Sequence, residues 1–91
     1  MRFFVAAVAF ASASAYAAPP AGAAACSGCH AASAGIATPV PRLAGRDPAD
    51  IVKAMQEFRA GTRPATVMDR IAKGFTDDET RAIAAWYASQ R

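Results

Sequence analysis

Cys26-Ser27-Gly28-Cys29-His30 is the cluster in this 91-residue sequence whose residue types and spacing point most directly at chemistry. Each thiol can add across a vinyl group of a haem to make a thioether. Two intervening residues put the sulfurs at the separation of the two vinyls. The adjacent His can then turn its imidazole onto the iron, so the cluster reads as the c-type attachment signature. Three other uses compete. A zinc site needs four ligands, but His30 is the only His and no Cys lies outside the pair. A thioredoxin-like redox pair expects a βαβ context, and no strand pattern is present. A structural disulfide between Cys26 and Cys29 suits an oxidising compartment, but so short a loop stabilises a domain weakly. The expected cofactor is one covalently bound haem c, with its iron.

A haem iron held by His30 needs a sixth ligand or stays open. Electron carriers of this kind pair His with Met, because thioether sulfur raises the potential. Met1 lies in the leader. Met55 shares a helical face with Ile51 and Phe58 and reads as flexible core packing. Met68 lies in a loop region between Pro64 and Gly74, from which it can approach the iron opposite His30. Met68 is therefore the expected second iron ligand. If it were only a packing residue, the open iron would suit a haem enzyme or a gas sensor.

The elements that must position these residues are helical. An alanine-rich segment from about Gly22 to Ala32 carries the cysteines as a first helix. Gly35, Thr38, Pro39, Pro41 and Gly45 make residues 33–45 a loop. Asp47 as N-cap, Pro48 at the first position and Asp50 in the first turn open a second helix, which Gly61 ends. A short turn or two runs from Met68 to Lys73. Thr76-Asp77-Asp78-Glu79 is a capping box that opens a third main helix, with Ile83, Trp86 and Tyr87 on its buried face. The expectation is an all-α fold, about three main helices and long loops packed around one covalent haem. Loops this long in a small domain need something packed beneath them.

Arg2, the apolar run from Phe3 to Ala11, and Ala15-Tyr16-Ala17 read as the three parts of a secretory signal peptide, residues 1–17. That run is about half the ~20 residues a spanning helix needs. The remainder, 18–91, is one domain without a membrane span, exported to the periplasm. Cleavage after Ala17 leaves about 74 residues, few enough that a staple such as a bulky cofactor is expected. The formal charge is only +3, and no Lys/Arg cluster or stripe argues for nucleic acid.

From residue 22 to residue 91 the sequence resembles the class I cytochromes c. The Cys26–His30 motif, Pro41-Arg42-Leu43-Ala44-Gly45, Met68, and the Trp86-Tyr87 pair follow the family pattern in order. The resemblance implies that the Pro41 carbonyl accepts a hydrogen bond from His30, fixing its tautomer. It also implies that a C-terminal aromatic packs on a glycine of the first helix. Here Gly22 stands late for that role, and Ala23 to Ala25 are expected to supply the small surface. Thr66-Val67-Met68-Asp69-Arg70-Ile71-Ala72-Lys73-Gly74-Phe75-Thr76-Asp77-Asp78-Glu79 is similar to the axial-methionine segment of the cytochrome subunit of flavocytochrome c sulfide dehydrogenase. That likeness implies an FAD-containing flavoprotein subunit as electron donor and a redox protein as acceptor, with no substrate chemistry in this chain. A free-standing periplasmic carrier is the alternative. Arg42, Arg46, Arg59, Arg63, Arg70 and Lys73 read as solvated surface that could steer an acidic partner or neutralise a propionate, and Arg46, just beyond the Pro41–Gly45 segment, is the least weak propionate candidate.

Overall fold

The computed structural model describes residues 2–7, 18–31 and 39–90. Residues 2–7 have no regular structure, and 8–17, most of the expected leader, lie outside the described residues. Four helices follow in chain order: α1 (Ala23–Cys26), α2 (Pro48–Ala60), α3 (Met68–Ala72) and α4 (Asp77–Ser89). No strand occurs among the described residues, so the fold is all-α.

The two long helices begin where local chemistry dictates. Asp47 accepts a hydrogen bond from Ala49 N–H at 2.8 Å, and Pro48 at the first position has no N–H to lose. Gly61 ends α2 at φ 74°, in the left-handed region that glycine enters without penalty. At α4 the capping box closes in both directions. Glu79 N–H donates to the Thr76 hydroxyl at 3.1 Å, and Thr76 N–H donates to the Glu79 carboxylate at 3.0 Å. That backbone donor holds the Glu79 carboxyl below the usual carboxylate range, with the Thr76 side chain acting the same way.

The first helix is shorter than its alanines suggest. It ends at Cys26, and residues 27–29 form a turn. Gly28 N–H bonds Ala25 O and Cys29 N–H bonds Cys26 O, both at 3.2 Å, so tighter three-residue bonds replace the α ladder there. Gly28 also favours that exit, since glycine is a poor helix former.

The core is a small cluster of Ala23, Ile51, Ile83, Ala84 and Tyr87, where α1, α2 and α4 meet. Cys26, Leu43, Val52, Met55, Phe75 and Trp86 pack against it half-buried. Trp86 and Tyr87 meet edge to face, with ring centroids 4.9 Å apart. Gly22 itself makes the close approach of the first helix: at φ 88°, an added Cβ would lie 2.5 Å from Phe75 Cε1 and 3.6 Å from Ile83 Cδ1. Ala23, fully buried, continues that small surface under Tyr87, whereas Ala24 and Ala25 are exposed. α3 packs on α2. An exposed ion pair of 2.6 Å, Arg59 to Asp77, joins the end of α2 to the start of α4.

Candidate haem site

Cys26 is the last residue of α1, half-buried against the core, and Cys29 is exposed on the turn that follows. Both are free thiols. The Cys26 thiol donates weakly to Gly22 O at 3.5 Å. Burial pushes it up from the ordinary thiol value and outweighs a backbone hydrogen bond acting the other way. His30 N–H returns to Cys26 O at 2.8 Å, which folds the imidazole's backbone against the first cysteine.

His30 Nδ1 lies 2.5 Å from Pro41 O. A carbonyl oxygen can only accept, so Nδ1 carries the proton. In the neutral ring the lone pair is then on Nε2, the form in which imidazole binds a metal.

Tyr87 ties both halves of this arrangement to α4. Its hydroxyl donates to Ala23 O at 2.5 Å, in α1. That uses its only proton, so Ser27 Oγ, 2.7 Å away between the two cysteines, donates to Tyr87 Oη. Its backbone carbonyl accepts from Gly45 N–H at 3.0 Å, holding the far end of the Pro41–Gly45 segment. Leu43 anchors the middle of that segment in the core. The sequence marked Tyr87 as a packing residue. Its hydrogen bonds span 60 and 64 positions, and no local pattern announces them.

Met68 sits on a separate element, as the first residue of α3, half-buried. No hydrogen bond joins it to the Cys26–His30 motif among the described residues. Met55 packs against the core. Arg46 is exposed. Two shallow surface depressions between α2 and α4 contain no residue of the motif.

The residues fit a bulky group with an apolar body and polar edges. Tyr87 is the only large side chain fully buried among the described residues, and six hydrophobic residues at the core remain half-buried. Among the described residues, three buried side-chain polar atoms lack a hydrogen-bond partner: Arg42 Nε, Asp69 Oδ1 and Thr80 Oγ1. Two of them adjoin the candidate segments, beside Pro41 and beside Met68. Such atoms cost about 1–3 kcal/mol each when nothing pairs them, and a second molecule with polar groups is the natural partner.

An all-helical fold, a Cys-x-x-Cys-His turn and relatives bearing cytochrome names support one class, the class I cytochromes c. Over 64 residues it is 36% identical to the cytochrome subunit of sulfide dehydrogenase from Chlorobaculum tepidum, a match covering 70% of this chain and 58% of that protein. It is 38% identical over 65 residues to cytochrome c-552 of Acidithiobacillus ferridurans, covering 71% of this chain and 28% of that one. It is 44% identical over 63 residues to the thiosulfate dehydrogenase electron acceptor of Stutzerimonas stutzeri, covering 67% and 29%. The chain thus spans less than two thirds of the length of each. No family model and no solved structure matches it.

Proposed function

We propose that this chain carries single electrons in the periplasm through one covalently attached haem c. The observation that carries the reading is the His30 ring, whose Nδ1–H is committed to Pro41 O and whose Nε2 is left to ligate a metal. Cys26 and Cys29 would hold the haem by thioether bonds, and His30 and Met68 would be its iron ligands. A bound haem supplies an iron that alternates between Fe(III) and Fe(II). The chain's own residues fix the histidine tautomer, exclude water with the Ile51, Ile83 and Tyr87 cluster, and hold the attachment turn through Ser27 and Tyr87. Two ligands from the protein leave no position for substrate, so carriage of an electron is the whole reaction. The N-terminal signal-peptide pattern supports export.

The donor in this reading is an FAD-containing flavoprotein subunit of a sulfide dehydrogenase, and the acceptor another redox protein. The name of the Chlorobaculum tepidum relative supports it, as does the similarity of the Thr66–Glu79 segment. A second reading, a free-standing carrier, draws on the Acidithiobacillus ferridurans relative's plain cytochrome name. The test is gentle isolation from the periplasm, with flavin quantified against haem. Flavin and haem co-eluting in fixed ratio supports the dehydrogenase subunit. Haem alone on a small monomer makes the chain a diffusible carrier. Rapid CO binding by the reduced protein would instead indicate an open iron and overturn the carrier assignment.

A further inference from the structure

We infer that Arg42 supplies the cation that pairs with a propionate carboxylate of the bound haem. This rests on the haem reading above. Arg42 lies between Pro41, whose carbonyl holds the His30 ring, and Leu43, which is anchored in the core. Its backbone is therefore fixed on both sides, next to the histidine expected to bind iron. Its Nε is buried and has no hydrogen-bond partner.

Among the described residues no carboxylate pairs with Arg42. All seven acidic side chains lie within the described residues, and none pairs with Arg42. Asp77, Glu57 and Asp78 bind Arg59, Arg63 and Arg81 respectively. Asp47 and Glu79 cap helices. Asp50 and Asp69 form no ion pair. A guanidinium cannot shed its charge, so its buried Nε–H is costly until it meets an acceptor that the described residues do not supply. The planar fork of Arg suits a carboxylate, and a haem attached at Cys26 and Cys29 brings two. Arg46, which sequence position alone favours, is exposed and has no such demand.

The test uses haem-loaded protein carrying Arg42→Gln, Arg42→Lys or Arg46→Gln. Haem staining after denaturing electrophoresis first confirms covalent haem. A wild-type protein without it ends the haem reading itself, separately from this inference. Resonance Raman spectra then read the propionate bending mode, and spectroelectrochemistry reads the midpoint potential. The inference predicts a displaced propionate mode and a lower potential in Arg42→Gln, and values nearer wild type in Arg42→Lys, which keeps the charge. Arg46→Gln is predicted to leave both unchanged. If Arg42→Gln fails to mature, Arg42→Lys alone decides, because losing the planar fork must still move the mode. A propionate mode indifferent to Arg42 substitution, or one that follows Arg46 instead, overturns the inference.

Discussion

His30 illustrates how one atom's partner settles another atom's chemistry. The Pro41 carbonyl accepts from Nδ1 and so directs the lone pair to Nε2. The motif around it was plain in the sequence because its spacing is local: two thiols and an imidazole within five residues. The eleven-residue step to Pro41 came only from family resemblance, since nothing in the intervening composition encodes it. Arg42 was only one of several basic residues the sequence offered for a propionate, because the unpaired Nε that sets it apart is a property of packing. Met68→Ala retains covalent haem, because the thioethers are unaffected, but its reduction potential falls as thioether ligation is lost. Voltammetry and the visible spectrum check it; an unchanged potential and spectrum removes Met68 as a ligand.

The elements divide between those set by their ends and those set by their neighbours. The boundaries of α2 and α4 were readable because Asp47, Gly61 and the Thr76–Glu79 box act within one turn. The end of α1 was not, because a turn geometry through Gly28 overrides the helix propensity of alanine. Of the small surface expected of Ala23 to Ala25, Ala23 is the part that lies under Tyr87, and Gly22 beside it meets Phe75 and Ile83, where there is no room for a Cβ. Gly22→Ala is expected to cost about 1–3 kcal/mol, from overpacking against Phe75 together with a φ of 88° that alanine adopts poorly. Chemical denaturation of the haem-loaded protein measures this, and no loss would mean that α1 does not pack there. Tyr87→Phe leaves the Ala23 carbonyl without its donor and is expected to cost about 1–3 kcal/mol. Ser27→Ala should cost less, since Tyr87 keeps its bond to Ala23; the reverse order would contradict the assignment of the Tyr87 proton to Ala23 O.

The Glu79 cap carries a pH signature. Its carboxyl is held below the ordinary range in the folded chain, so the ionised form is stabilising. That stability is present above the unfolded-state value and is lost as pH falls through the lower folded value. Glu79→Gln keeps an acceptor for Thr76 N–H but removes the charge. Thermal unfolding between neutral pH and pH ~3 should therefore show a shallower acid loss in the variant than in the native protein. Parallel curves would mean that the charge contributes nothing.

For the molecule as a whole, the all-α architecture was legible from helix signals and the lack of strand alternation, whereas the slenderness of the core was only half so. Size alone said that a staple was needed. The structure adds that, among the described residues, the buried apolar set is three alanines, Ala23, Ala72 and Ala84, with only Ile51, Ile83 and Tyr87 as larger members. Such a core cannot offset chain entropy unaided. Cys26→Ala/Cys29→Ala, made in cells able to attach haem, should yield a chain without a cooperative thermal transition, read by far-UV circular dichroism. A transition at the native temperature would show that the haem contributes no stability.

The central claim is that Cys26 and Cys29 bind haem covalently. The most direct measurement is haem staining of the polypeptide after full denaturation, beside a Cys26→Ala/Cys29→Ala control. The account predicts haem that stays with the native chain and is absent from the control. A chain isolated from haem-attaching cells without stain, or a control that stains equally, would contradict it.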